Sequence, residues 1–142
     1  MKLLLSIGFF VLFLDQLTKY FFKDKVFVIS SFLKLEYVEN TGAAFGMLKG
    51  FSWLFIVVAF AVLVFILWNY KGFKKEKSCF QIALGCLFGG VLGNLIDRLF
   101  LGYVRDFIAF SFWPTFNVAD AFSTIAVIIL IVYTLISKKV AH

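Results

Sequence analysis

Proline is nearly missing from this chain: Pro114 is the only one among 142 residues. It lies outside every long apolar run, so helices built from those runs keep all their backbone hydrogen bonds and carry no proline kink. Histidine is as scarce, one residue at the extreme carboxyl terminus, and the only cysteines are Cys79 and Cys86. On a helix their spacing is about 10 Å of rise, too long for a mutual disulfide, and both read as apolar filler. No His/Cys cluster has zinc spacing, and a metal site is not indicated. Charge is also sparse, at 15% of residues against about a quarter in soluble domains.

Apolar residues fill the space. They make up 63% of the chain, with 21 phenylalanines, where soluble domains are roughly half apolar. Four apolar segments stand out, residues 3–22, 52–69, 79–98 and 118–136, each near the ~20 residues that cross the hydrocarbon as a helix. The expected fold is an integral membrane protein, mainly α, with four transmembrane helices. Lys2 followed by the apolar run Leu3–Leu14 imitates a signal peptide, but no small-residue cleavage site follows and the pattern continues through Asp15, Gln16 and Lys19. An uncleaved first span is expected. Without repeats or low-complexity linkers, residues 1–142 form one domain.

Lysines set the orientation, because short cytoplasmic loops are rich in Lys and Arg. Lys2, the group Lys71, Lys74, Lys75 and Lys77, and the pair Lys138 and Lys139 must share one side. Both termini are therefore placed in the cytoplasm, with residues 23–51 and 99–117 outside. The segment 23–51 carries lysines too, but it is longer and mixed in sign. The net charge of +6 fits anchoring on anionic membrane lipids; it is too dispersed for a nucleic-acid partner.

The outer segment Val26–Val38 is rich in aromatic and β-branched residues, and from Phe32 onward apolar and polar residues alternate. That period predicts short strands, a small β element on the outer membrane surface. Asn40-Thr-Gly-Ala-Ala-Phe-Gly46 follows, small and glycine-rich, suited either to a plain turn or to a loop that approaches a ligand.

Charged residues inside spans are costly and tend to face the bundle interior. Asp15 and Lys19, four apart, share a helix face; they are either a structural ion pair whose lysine snorkels to the interface or a pair that organises a site. Gly85, Gly89 and Gly93 form a ridge that Asp97 continues, and Gly90, Asn94 and Arg98 form the adjacent row. Such a ridge admits a close helix neighbour, or forms a smooth groove leading to the polar cluster at its outer end. Asn117 is placed as the N-cap of the fourth span with Asp120 as its third residue, where the helix dipole favours a carboxylate. With Asp106 in the preceding connection, Asp120 makes a carboxylate pair at the membrane surface. Two such groups held close cannot both ionise cheaply. One can take a proton from water while the other hydrogen-bonds a peptide carbonyl, and the dipole favours Asp120 as the base.

Five blocks in order resemble lipoprotein signal peptidase, the type II signal peptidase of bacteria: Asp15-Gln-Leu-Thr-Lys19, Asn40–Gly46, Gly89-Gly-Val-Leu-Gly-Asn-Leu-Ile-Asp-Arg98, Val104-Arg-Asp-Phe107 and Phe116-Asn-Val-Ala-Asp120. The resemblance implies an aspartic endopeptidase of the plasma membrane that cleaves prolipoproteins amino-terminal to a diacylglyceryl-modified cysteine. It implies Asp106 and Asp120 as the catalytic pair, and Asp15, Lys19, Asn40, Gly42, Gly90, Asn94, Asp97, Arg98 and Asn117 as active-site and supporting positions. No cofactor or metal is implied, and a monomer is expected. The lipidated substrate would enter sideways, with the glycine face of the third span along its path and the Asn40–Gly46 loop gating access.

Two features depart from the family pattern. The connection from Asp106 to Asn117 is short and aromatic, and its rings (Phe107, Phe110, Phe112, Trp113 and Phe116) are expected to form an interfacial belt. Arg105 stands where an apolar residue is more usual. The competing classes are a small transporter, which needs polar residues spread through the midplane, and a noncatalytic assembly factor, which would tolerate Asn at both aspartates.

Overall fold

Hydrocarbon offers no hydrogen bonds, so a spanning segment must satisfy its own backbone, and the apolar runs become helices for that reason. In the computed structural model, which describes residues 2–42 and 50–140 with side chains to Ser137, the elements run α1 (Lys2–Phe22), β1 (Val26–Val28), β2 (Leu33–Asn40), α2 (Ser52–Trp68), α3 (Tyr70–Phe73), α4 (Ser78–Leu101), β3 (Val104–Phe110), β4 (Trp113–Phe116) and α5 (Val118–Val140). On α1 the buried positions Leu4, Gly8, Val11, Asp15 and Lys19 recur at helical spacing. Its other face exposes Phe9, Phe10, Phe13 and Leu17, the surface that suits lipid.

Among the described residues three helices, α1, α4 and Val118–Ser137 of α5, are long and apolar enough to cross a membrane. The fourth expected span, α2, has 17 residues and a length of about 25 Å at 1.5 Å per residue, a few Å under the ~30 Å hydrocarbon. It packs against α4, and its Leu63 and Ile66 join a core with Leu84, Phe88 and Leu95 of α4 and Leu4 of α1.

The α4 glycines are contact points, and the open groove expected from them is filled. A Cβ on Gly85 would lie 2.7 Å from the Leu4 carbonyl oxygen, one on Gly89 would collide with the Gly8 carbonyl of α1, and one on Gly90 would collide with Ser123 of α5. Small residues on α4 let both neighbours approach at backbone distance, and this sets the side chains at the end of α4 against those of α1 and α5. Gly102, at φ 84°, ends α4 in the left-handed conformation and turns the chain into β3.

The β element is larger than the sequence pattern showed. Among the described residues four antiparallel strands stand in the order β1-β2-β3-β4, so half of the sheet comes from residues 104–116, a stretch placed in the short outer connection. Between Leu35 and Val38 the β2–β3 register slips: Leu35 opposes Ile108, but Val38 opposes Asp106 and Asn40 opposes Val104. The extra β2 residue is a bulge, which interrupts the alternation read from Phe32 onward and re-aims the strand end. Phe107 is buried and stacks on Phe22 of α1 at 4.8 Å between ring centres, pinning β3 to the bundle.

Candidate active site

The start of α5 is a reciprocal cap. Asn117 Oδ1 accepts from the Asp120 backbone N–H at 2.9 Å, and Asp120 Oδ2 accepts from the Asn117 N–H at 3.2 Å, so both side chains are held by the helix start itself. The Asn117 amide, fully buried, donates to Asp106 Oδ1 at 2.6 Å and to Asn94 Oδ1 at 3.1 Å. Asn94 in turn donates to Asp120 Oδ1 at 2.7 Å. The second Asp106 oxygen accepts from Asn40 Nδ2 at 2.8 Å. Asn40 Oδ1 takes the Gly42 N–H at 2.9 Å, a local turn that orients the amide.

Asp106 and Asp120, brought by a strand and a helix start, thus share a frame of three asparagines. Asp106 is 1% exposed. Burial raises its carboxyl pKa to about 7, the Asp120 charge adds to the rise, and the Asn40 and Asn117 amides and Lys19 oppose it. Near neutral pH Asp106 is therefore close to the midpoint of its titration, and it keeps its proton well above the usual carboxylate range.

Behind this frame lies a charged cluster. Lys19 Nζ pairs with Asp15 Oδ2 at 2.8 Å and Asp97 Oδ2 at 3.2 Å and donates to Asn94 Oδ1 at 2.8 Å. The lysine does not snorkel: its side chain, like those of both aspartates, is 0% exposed. A buried ammonium is tolerable only when paired and fully hydrogen-bonded, and here two helices supply the partners. Asp15 Oδ1 also accepts the Ala119 N–H at 2.9 Å, which ties α1 to the first turn of α5.

A cavity of about 480 Å³ opens on Asp120, with Asn40, Gly42, Asn94, Arg98 and Asp120 in its wall and Trp113, Pro114, Thr115, Phe116, Thr124 and Ile125 on its apolar side. Arg98 Nη2 donates to the Gly42 carbonyl at 3.4 Å, its guanidinium lies 4.8 Å from the Phe55 ring, and its buried Nε has no partner among the described residues.

The sequence-derived positions thus fall into layers. Asp106 and Asn117 sit directly behind the wall, Asp15, Lys19 and Asp97 lie deeper, and Gly90 stands apart, at the α4–α5 contact. The aromatic connection divides: Trp113 and Phe116 border the cavity instead of forming only a belt, and Phe107 is core. The gating expected of the Asn40–Gly46 loop falls largely on residues 43–46, outside the described residues. Sequence reasoning missed Gln16 and Arg105, whose contacts centre on Asp97. Gln16 had a signal, a polar side chain inside an apolar run; Arg105 was marked only as a departure.

The chain is similar to known proteins along most of its length. The family model described as Signal peptidase (SPase) II matches residues 7–136. A lipoprotein signal peptidase of Caldanaerobacter subterraneus subsp. tengcongensis is 48% identical over 129 residues, 85% of this chain and 88% of the relative. One from Thermodesulfovibrio yellowstonii is 43% identical over 140 residues, 92% of each chain. Two solved structures, each described as a bacterial membrane enzyme determined by the in meso method, superpose on the fold. The first, at 2.3 Å resolution, has a TM-score of 0.86 and 33% identity, covering 97% of this chain and 90% of its own. The second, at 1.9 Å, has 0.79 and 34%, covering 95% and 94%.

Proposed function

The chain belongs to the signal peptidase II family of lipoprotein signal peptidases, a family of proteases, and with a multi-pass membrane protease as the premise we propose that it is an aspartic endopeptidase. It removes signal peptides from diacylglyceryl-modified prolipoproteins, cutting amino-terminal to the lipidated cysteine. The observation that carries this reading is the joining of Asp106 and Asp120 through Asn117 and Asn94 at the wall of one cavity.

Asp120 is the base. It stands at a helix amino terminus, where negative charge is favoured, and its Oδ2 takes the Asn117 backbone N–H. Asp106, with its pKa near 7, is the member that keeps the proton. Water attacks the scissile carbonyl carbon as Asp120 takes its proton, and Asp106 gives its proton to the carbonyl oxygen. The resulting diol collapses when Asp120 passes its proton to the leaving nitrogen and Asp106 recovers one from a hydroxyl, which breaks the C–N bond and restores the pair. Arg98, a charged residue of the cavity wall, is placed to bind a peptide carbonyl of the substrate. The chemistry uses no metal or cofactor.

The apolar side of the cavity includes Thr124 and Ile125 of α5, which face outward from the bundle, and this supports sideways access from the bilayer. The sheet, the start of α5 and the ends of α1 and α4 gather at one end of the helices. The lysine-rich α2–α4 connection is at the other, which supports a cytoplasmic lysine end, cytoplasmic termini and an active site near the outer face. In this reading α2 is the fourth span, slightly short and accommodated by local thinning of the bilayer, and the single domain works as a monomer surrounded by membrane lipids.

The test is a gel-shift assay of purified protein in detergent with a diacylglyceryl-modified prolipoprotein, beside Asp120→Asn and an unlipidated substrate. Cleavage by the wild type alone, and of the lipidated substrate alone, is expected. A folded wild type that cleaves neither substrate refutes the proposal.

A further inference from the structure

Arg105 precedes Asp106 on β3, and the reaction above gives it no task. Its contacts nonetheless converge on one buried carboxylate, Asp97, and on Gln16. The Arg105 backbone N–H and Nε both donate to Asp97 Oδ2, at 3.0 and 3.2 Å, and Nη2 donates to Asp97 Oδ1 at 2.6 Å and to Gln16 Oε1 at 2.7 Å. A guanidinium fork closed on a carboxylate from main chain and side chain together fixes the residue that bears it in both position and rotation. Asp106 is one peptide unit away.

The same carboxylate is the second partner of Lys19, at 3.2 Å. With Asp15, Lys19, Asp97 and Arg105 the cluster carries two formal charges of each sign. Without Arg105 it carries a net negative charge, and Asp97 keeps one cation, Lys19, beside the Gln16 amide that donates to it at 3.2 Å. Lys19 is also the donor to Asn94, which holds Asp120.

We infer that Arg105 is a positioning residue for the proposed proteolysis: by clamping Asp97 and Gln16 it holds the start of β3, and with it Asp106, in register with Asp120, and it keeps the Lys19 ammonium directed at the Asn94 frame. The inference rests on the carboxylate-pair reading. Arg105 is absent from the cavity wall, so it acts on turnover and not on substrate affinity.

The charged groups around Asp106 give the sign of the accompanying pH effect. They are Asp15 and Lys19 from α1, Asp97 and Arg98 from α4, Asp120 from α5, and on β2 Glu39, which pairs in register with Arg105 and accepts from Tyr37 at 3.5 Å. Removing the Arg105 cation leaves this surrounding more negative, so Asp106 keeps its proton to higher pH.

The experiment compares Arg105→Gln, Arg105→Lys, Asp97→Asn and the Arg105→Gln/Asp97→Asn double variant of the full chain in detergent, by kcat, KM, pH profile and thermal unfolding. Arg105→Gln is expected to lower kcat by about 10- to 100-fold, the scale of a sub-Å to 1 Å misplacement, with KM within about twofold. The alkaline limb of its kcat/KM profile should move to higher pH. Arg105→Lys restores part of the loss, and the double variant is no worse than the poorer single one, because both members act through one contact. An Arg105→Gln enzyme with wild-type kcat and an unmoved alkaline limb overturns the inference, as does a fall in activity that matches only the loss of folded protein. If the wild type cleaves, Asp106→Asn does not, and Arg105→Gln behaves as wild type, this inference alone fails; an inactive, folded wild type removes the proposed function and this inference with it.

Discussion

Replacing Asp106 by Asn should reverse its effect on stability with pH. In the folded protein Asp106 holds its proton to about 7 instead of 3.8, chiefly through burial and the neighbouring Asp120 charge. At ~1.36 kcal/mol per pH unit, ionising it in place costs about 4 kcal/mol more than in the unfolded chain. The sign follows from proton uptake: between pH 4 and 7 the folded state binds a proton that the unfolded state has released, so this part of the stability is present at pH 4 and is lost as the pH rises through 7. Asn carries no such charge. It also offers only one carbonyl oxygen to the two amides of Asn40 and Asn117, which donate to Asp106 at 2.8 and 2.6 Å, and the lost bond costs about 1–2 kcal/mol. Asp106→Asn should therefore be less stable than wild type by about 1–2 kcal/mol at pH 4 and more stable by about 2–3 kcal/mol at pH 8. At roughly 3 °C per kcal/mol for a chain of this size, thermal unfolding in detergent at the two pH values resolves the crossover. A difference between variant and wild type that is the same at both pH values refutes the reasoning.

Turnover of Asp106→Asn and of Asp120→Asn should each fall by more than about 10²-fold in protein that still unfolds cooperatively, measured by gel shift and thermal melt on one preparation. The wild-type kcat/KM profile should fall on its alkaline side with a midpoint near 7, as Asp106 loses the proton that the carbonyl oxygen needs; an alkaline limb beyond about pH 9 would contradict the assignment of Asp106 as the acid. Lys19→Met leaves Asp15 and Asp97 without the cation they share at 2.8 and 3.2 Å, and a destabilisation of about 3–5 kcal/mol is expected, partly recovered by adding Asp15→Asn. Gly89→Ala forces a methyl group against the Gly8 carbonyl oxygen; a loss of about 1–3 kcal/mol is expected, read as a lower melting temperature with an unchanged pH profile.

Elements made by local pattern were legible in the chain. The apolar runs marked α1, α2, α4 and α5 to within a few residues, because hydrophobic content over ~20 residues is a property of the segment alone. The Asn117 and Asp120 cap was legible for the same reason, since its partners are three residues apart. The β3–β4 hairpin was not: Val104–Phe116 shows no clean alternation, and its strand character comes from pairing with β2, more than sixty residues earlier in the chain. The layout of the site was read only in outline. The resemblance supplied the residues, but Gln16 and Arg105 were passed over, and Lys19 was offered an interfacial role that its complete burial excludes.

The sequence by itself determined a membrane-embedded helical protein, the positions of two exceptional aspartates, and the small residues that let helices touch. Those follow from composition and short spacing, where each residue's preference is nearly independent of distant partners. Tertiary structure alone decided that Asp106 and Asp120 are joined through Asn117 with Asn40 and Asn94 to either side, that a lysine can be buried whole between two carboxylates, and that Arg105 closes on Asp97. The physical reason is that a buried charge has no preferred state of its own: its cost depends on which groups from other elements arrive within about 3 Å, and only the assembled bundle brings them there.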